Sequence, residues 1–172
     1  MTDQYISWDA ITPAHLQSWS AVELLYTLGH DLVFAGAGLY IPFFLKGPFA
    51  FTLPEQQRFI EELAAAHQTF HAAALALRAW RVQQQQLRRA EAGDHPTDPE
   101  LSTTALSELR ALILEYYREA QRMRDIFQIF TSLLTHWNDN QDFLLQRASM
   151  MTAKQWQIAN YLQDWLLFHT KQ

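Results

Sequence analysis

The chain has 172 residues, no cysteine, and 13 basic against 18 acidic side chains, which give a formal net charge of -5 at pH 7. The missing cysteines exclude disulfide scaffolds, thiolate metal sites and a cysteine nucleophile, and the mild acidity disfavours a protein whose whole surface binds nucleic acid. A hydrophobic fraction of 49% excludes a disordered chain. We therefore expect one folded domain that spans residues 1–172.

The N-terminal region does not have the composition of a secretory signal. Residues 1–17 contain two aspartates and no lysine or arginine, whereas a signal begins with basic residues and continues with an apolar run. We therefore expect a soluble, cytoplasmic protein. The most apolar stretch, residues 32–45, is shorter than the roughly 20 residues that a membrane-spanning helix needs. This stretch predicts a buried helix, with a membrane-active segment as the alternative.

Helix-starting signals come early in the chain. A short helix is predicted to begin at Thr12, which precedes a proline in the first helical position. Ser20 and Glu23 have the spacing of a capping box, which predicts the start of a longer helix. We expect this apolar helix to span residues 20–41, because Pro42 removes a backbone donor.

Two glycines inside this predicted helix call for an explanation. Gly36 and Gly38 would each cost about 1 kcal/mol relative to alanine in a helix interior. Glycine lets another backbone or a ligand come very close. The pair therefore predicts close approach by a second helix or a ligand, of which a tight helix crossing is the simpler interpretation.

Two longer segments, residues 53–92 and 98–137, repeat apolar residues at alternating steps of three and four, as the seam of a coiled coil does. The first seam contains Phe59, Leu63, Ala66, Phe70, Ala73, Leu77 and Trp80. The second contains Leu106, Leu109, Ile113, Tyr116, Ala120, Met123, Phe127, Phe130, Leu134 and Trp137. Gly93 and Pro96 separate the segments, which predicts a long antiparallel helical hairpin.

The last predicted helix, residues 152–169, is rich in aromatic residues. Its start is suggested by a second capping box, Thr152 with Gln155, after a break at residues 138–140. The complete pattern predicts an all-α protein. We expect a four-helix bundle built on the hairpin, with the apolar N-terminal helix and the aromatic C-terminal helix packed against it.

Histidines provide the sharpest candidate site. His67 and His71 have the i, i+4 spacing that points two imidazoles the same way on a helix. His30 and Glu23 could add ligands, and so could His136. The usual di-metal and haem motifs, such as Glu-x-x-His, are absent from the sequence. A metal ion or haem is therefore an alternative, and our first expectation is that the protein has no cofactor.

No catalytic residues are predicted. The sequence has no Gly-x-Ser-x-Gly elbow and no glycine-rich phosphate loop. Acidic pairs such as Glu61 and Glu62 lie on polar helix faces, where solvated charge is the ordinary interpretation. These observations favour a non-enzymatic protein.

Arginines suggest a binding surface, because eight of the ten lie between residues 78 and 124 of the predicted hairpin. We expect a protein partner of acidic character, with self-association as a second possibility for the partner. The predicted partner-binding residues are Arg81, Arg88, Arg89, Trp156 and Phe168. Interleaved acidic residues neutralise much of the basic charge, so an ordinary solvated surface remains the simpler interpretation of the arginines.

Three functions of different classes follow from these features. The leading hypothesis is a helical protein–protein interaction module of the adaptor, chaperone or immunity type. The second is a metal- or haem-binding bundle that uses His67 and His71. The third is a membrane-active helical protein that exposes residues 32–51.

Overall fold

The computed structural model describes residues 8–46, 50–92, 101–132 and 139–170, and these ranges are mostly helical with no β-strand. The all-α prediction is therefore confirmed. Short 3₁₀ turns occupy Trp8–Ala10 and Ala37–Tyr40. The α-helices, more than the four predicted, are α1 (Pro13–Ser18), α2 (Ala21–Val33), α3 (Ile41–Phe44), α4 (Pro54–Ala92), α5 (Thr103–Ser132) and α6 (Asp139–Thr170).

The first two helices begin where the sequence predicts. The Thr12 hydroxyl accepts a hydrogen bond from the His15 amide at 3.3 Å, and His15 Nδ1 accepts one from the Thr12 amide at 3.0 Å. This reciprocal arrangement is a capping box in which histidine replaces the usual glutamate or glutamine. At the start of α2, Ser20 Oγ accepts from the Glu23 amide at 3.1 Å.

The prediction of one continuous helix over residues 20–41 is wrong, because Gly29 interrupts α2 and the helix ends at Val33. The chain leaves the helix at Phe34, and Gly36 has a φ of 104°, which L residues rarely adopt. The Gly36 amide donates to the Met151 carbonyl of α6 at 3.1 Å. The Gly36 amide thus makes a hydrogen bond to α6 in place of one within its own helix. A local sequence pattern does not reveal such a bond.

Both predicted close approaches at glycines are confirmed. A Cβ placed on Gly36 would lie 3.2 Å from the side-chain amide of Gln155, and one on Gly38 would lie 2.2 Å from Cγ of His67. The segment between α2 and α3 therefore lies tightly against α6 and α4. The two glycines belong to a turn and a 3₁₀ segment, however, and not to a helix interior as predicted.

Helices α4 and α5 pack along each other. Phe51, just before α4, contacts Phe130 near the end of α5 with ring centroids 5.4 Å apart, and Phe70 contacts Tyr116 at 4.9 Å. A residue further along the first segment thus contacts an earlier residue of α5, so the two segments point in opposite directions. The predicted turn at Gly93 and Pro96 lies outside the described residues.

The start of α5 differs from the prediction of a helix from residue 98. Leu101 and Ser102 lie outside the helix, and Ser102 Oγ accepts from the Ala105 amide at 3.1 Å. Ser102 is therefore the capping residue. The predicted last residues of this helix, with Leu134, His136 and Trp137, lie outside the described residues.

The start of α6 also differs from the prediction. The predicted capping box at Thr152 and Gln155 is wrong, because α6 begins at Asp139 and both residues lie inside it. Thr152 Oγ1 donates to the Ala148 carbonyl of the same helix at 2.8 Å, and the buried Gln155 donates to Met123 Sδ at 3.1 Å. The predicted break at residues 138–140 is also wrong from residue 139 onward.

The core lies where α2, α4, α5 and α6 meet. Tyr116 is fully buried and donates from its hydroxyl to the Leu32 carbonyl at 3.2 Å. Asp31 of α2 and Lys154 of α6 form an ion pair in which both side chains are mostly buried. These polar contacts join α2 to two other helices within the apolar interior.

One stretch in the described part of the chain, Ala21–Phe44, is long and apolar enough by composition to cross a membrane. About half of its most apolar window is buried inside the protein, as in the core helix of a soluble protein. Within the segment of the membrane-active hypothesis, Phe44 and Phe51 are buried, whereas Phe43 and Leu45 are more than half exposed.

Candidate functional site

The structure places the predicted site residues on three helices. Glu23 and His30 lie on α2, and the histidines His67 and His71 lie in the middle of α4. The three predicted arginines, Arg81, Arg88 and Arg89, lie on the C-terminal half of α4, while the aromatic residues Trp156 and Phe168 lie on α6.

The four arginines in the C-terminal half of α4 share one helix face. Arg78, Arg81, Arg88 and Arg89 fall within an arc of about 100° when each residue turns the helix by 100°. From residue 63 to residue 90 the sequence contains these four arginines, two histidines and no aspartate or glutamate. We call these four side chains the arginine surface, to which residues 63–90 themselves supply no carboxylate.

Other arginines are paired with carboxylates. Arg58 lies 3.6 Å from Glu62, and Arg118 lies 3.4 Å from Glu115. Arg122 lies 3.7 Å from Glu119 and 3.5 Å from the hydroxyl of Thr69. Arg58, Arg118 and Arg122 therefore each have a carboxylate partner on their own helix.

A cavity of about 270 Å³ lies between α2 and α4 beside the arginine surface. Arg81 extends over the ring of Tyr26, with its Cζ atom 5.7 Å from the ring centroid. The cavity lining contains Leu25, Tyr26, Gly29, His30, Leu32, Val33, Phe34, Arg78 and Arg81. This lining contains no acidic side chain, and we call it the Gly29 cavity.

The predicted ligand histidines form a row and do not converge. His30 stacks on Phe34 at 4.2 Å, and Phe34 contacts His71 at 6.5 Å. His71 lies 5.8 Å from His67 between ring centroids. Within the described ranges, no three histidine, aspartate or glutamate side chains are grouped to hold a metal ion, and His136 lies outside those ranges.

The environment of His67 is set by the 3₁₀ turn above it. A Cβ on Gly38 would lie 2.3 Å from His67 Nδ1, so this nitrogen faces the backbone of the turn. Nδ1 of His67 and Nδ1 of His71 are both buried and make no hydrogen bond within the described structure. Burial, and to a lesser extent the nearby His71, lower the pKa of His67.

Trp156 lies in a second candidate site between α5 and α6. Its ring packs against Tyr117 with centroids 5.0 Å apart, and the Arg124 Cζ atom lies 4.7 Å from its centroid. A groove of about 590 Å³ runs beside it, and its lining includes Asn160. Phe168 is 39% exposed, but its position 12 residues further along places it roughly 18 Å from Trp156 along the helix axis.

Several residues of these sites were not singled out by the sequence. Tyr26, Gly29 and Arg78 belong to the Gly29 cavity, and Arg124 covers Trp156. No local pattern marks them, because each acquires its place only when two helices pack together. Arg78 and Arg124 belong to the arginine cluster that the sequence predicts on the hairpin, although neither is among the predicted partner-binding residues.

Comparison with known proteins adds no family to these observations. No protein-family model, curated protein or solved structure matches the chain.

Proposed function

We propose that this chain is a non-enzymatic protein–protein interaction module that binds an acidic segment of a partner on the arginine surface. In this proposal the scaffold is a four-helix bundle built on the antiparallel pair α4 and α5. The observation that carries the proposal is the run of residues 63–90, with four arginines and no carboxylate. Complementary charge steers association and suppresses wrong partners.

Arginine is well suited to this role. Its planar guanidinium presents several donors that match a carboxylate in a two-point contact. Arg81 is half-buried against Tyr26, so it loses less conformational freedom on binding than a fully mobile side chain would. Arg78 and Arg89 are exposed on the same face.

Aromatic side chains border the arginine surface. Tyr26 is 67% exposed, and Phe34 is 41% exposed on the same side of α2 and α4. Tyrosine and arginine are the residue types that most often dominate the free energy of binding at interfaces. A partner segment with acidic residues next to an apolar side chain fits this combination.

The test compares capture of proteins from a lysate by three forms of the protein. In the first variant Arg81, Arg88 and Arg89 become glutamine, and in the matched control the exposed Arg58, Arg110 and Arg118 become glutamine. We expect the wild type and the control to retain the same partner, which the first variant loses. Cross-links from the partner to α4 should map to an acidic segment of that partner.

The salt dependence of binding and the comparison of the first variant with the wild type decide the outcome. The loss of binding should shrink as salt rises, because exposed charges are screened beyond about 8 to 10 Å. Equal retention of the partner by the first variant and the wild type would place the interface elsewhere and refute the proposal. The groove beside Trp156 would then be the next surface to examine.

A second candidate function is a metal- or haem-binding protein that uses His67 and His71. The favourable observation is that both side chains have a buried Nδ1 atom without a hydrogen-bond partner in the described structure. Elemental analysis and an absorption spectrum of gently purified protein test it. Binding of haem or a divalent metal should disappear when both histidines become alanine and should persist in His95→Ala, because His95 is not in the predicted ligand set.

A further inference from the structure

We infer that the Gly29 cavity is a binding site for the phosphate group of a small phosphate monoester. This inference goes beyond the docking of an acidic protein segment. The two share Arg81, but the cavity also uses Arg78 and α2, whereas Arg88 and Arg89 do not line it.

The charges around the cavity match such a ligand. Arg78 and Arg81 contribute two formal positive charges, and the lining contains no carboxylate. A phosphate monoester carries about -1.5 to -2 charges at neutral pH and offers three acceptor oxygens. Two guanidinium groups three residues apart on one helix face can approach the same group of oxygens.

The nearest acidic side chains on the two helices lie away from this charge. Asp31 is the residue after His30, but it forms an ion pair with Lys154 of α6. On α4, the nearest carboxylates in the sequence to Arg78 and Arg81 are those of Glu62 and Glu91. Within the described structure no carboxylate, that of Glu23 on α2 included, forms an ion pair with Arg78 or Arg81.

The backbone of α2 is distorted where it meets the cavity. Gly29 has a φ of 46° and a ψ of -121° inside α2, so the helix is interrupted there. A Cβ on Gly29 would meet no atom within 4 Å, because the space beside it is open. Neighbouring side chains therefore do not require a glycine, and only the backbone conformation does.

An interruption in the middle of a core helix has a cost. Glycine adopts a positive φ without steric strain, so the cost lies in the interrupted hydrogen-bond pattern of the helix. Interrupting a helix also releases main-chain groups from the regular hydrogen-bond pattern. Such groups can bind a ligand in the space that adjoins Gly29.

The remaining walls fit a small organic ligand. His30 is exposed, supplies a ring nitrogen and is held against Phe34 by stacking. Leu25, Leu32 and Val33 add apolar surface. The volume of about 270 Å³ falls just below the 300–1,000 Å³ of pockets that hold drug-sized molecules, so it suits a phosphate with a short organic group.

The experiment measures binding of inorganic phosphate and of phenyl phosphate by calorimetry, together with chemical-shift changes in the amide spectrum. We expect saturable binding of both probes, with phenyl phosphate tighter because its ring contacts the apolar wall. The largest shifts should occur at Gly29 and His30. The variant Arg78→Gln with Arg81→Gln should bind about tenfold more weakly or worse, because charged hydrogen bonds contribute roughly 1.5–3 kcal/mol.

A matched variant, Arg88→Gln with Arg89→Gln, removes equal charge from the arginine surface but not from the cavity. It should bind both probes as the wild type does. Equal binding by the Arg78 and Arg81 variant, or no saturable binding by the wild type up to about 10 mM, overturns the inference. Either result leaves the protein-docking proposal standing, since that proposal is tested by capture of a partner with Arg81, Arg88 and Arg89 changed together.

Discussion

At the scale of single residues, the contact between His67 and Gly38 determines how the segment after α2 packs on α4. The imidazole occupies the space that a Cβ on Gly38 would need, so the two positions depend on each other. The buried Nδ1 of His67 has no hydrogen-bond partner in the described structure. A neutral ring is tolerated in this position, whereas a charged ring would lack compensation.

The pKa of His67 therefore predicts acid sensitivity. Burial lowers this pKa in the folded protein, so the unfolded chain binds the proton more readily. As the pH falls below about 6.5, the unfolded state gains protons first and the free energy of unfolding decreases. Urea unfolding at about pH 7.5 and about pH 5.5 should show a smaller decrease for His67→Gln than for the wild type. Equal decreases in both proteins would contradict the assignment to His67.

The two glycines at positions 38 and 29 should respond differently to alanine. Gly38→Ala creates a clash with the ring of His67, and overpacking of this kind costs about 1–3 kcal/mol. Gly29→Ala meets no atom but forces a side chain into a positive φ, which costs about 1 kcal/mol or more. In a double-mutant cycle by urea unfolding, His67→Ala should relieve part of the cost of Gly38→Ala. His67→Ala should not change the cost of Gly29→Ala. If it lowered the costs of both glycine substitutions, the clash would not be specific to Gly38 and His67.

At the scale of helices, regular patterns were predictable and tertiary bonds were not. The predicted seam residues that the structure describes are buried, including Leu63, Leu77, Ile113 and Met123, except for the partly buried Phe59 and Leu106, because the seam is the face of each helix that packs against its neighbours. The end of α2 was not predictable, since the bond from the Gly36 amide to α6 depends on a distant segment. The Gly29 cavity was missed for the same reason, as it exists only where α2 crosses α4.

The two predicted capping boxes illustrate this difference. Ser20 and Thr152 have similar local sequences, but Ser20 caps α2 whereas Thr152 lies inside α6. Loss of a capping side chain costs about 1 kcal/mol. We expect Ser20→Ala to lower the free energy of unfolding by about that amount.

Thr152→Val should instead change the free energy of unfolding by less than about 0.5 kcal/mol, because Thr152 Oγ1 shares a carbonyl that the helix already uses. Urea unfolding of both variants gives the comparison. A cost for Thr152→Val as large as that for Ser20→Ala would be inconsistent with the interior position of Thr152.

At the scale of the whole molecule, charge and apolar packing occupy different regions. The arginine surface lies on the C-terminal half of α4, while the contacts that join α2, α5 and α6 are buried. Changes at the arginine surface should therefore affect binding more than folding. Exposed charge changes are usually worth about 0.5 kcal/mol or less, and loss of the contact of Arg81 with Tyr26 adds about 0.5–1 kcal/mol.

The ion pair between Asp31 and Lys154 joins α2 to α6, and its contribution to the free energy of unfolding can be measured. Both side chains are mostly buried, at 19% and 16% exposed. The nearby Tyr116 has a pKa raised by burial and by the charge of Asp31. Removal of either side chain breaks this mostly buried ion pair, so Asp31→Leu and Lys154→Met should each lower the free energy of unfolding by about 3 kcal/mol.

Replacing both partners should restore most of this loss. A double variant, Asp31→Leu with Lys154→Met, leaves no buried charge and gains apolar contacts, so its free energy of unfolding should lie within about 1 kcal/mol of the wild type. Urea unfolding of the four proteins gives the coupling energy between the two positions. Additive losses in the double variant would show that each side chain contributes alone. Recovery would show that α2 and α6 need complementary surfaces at this point but no charge.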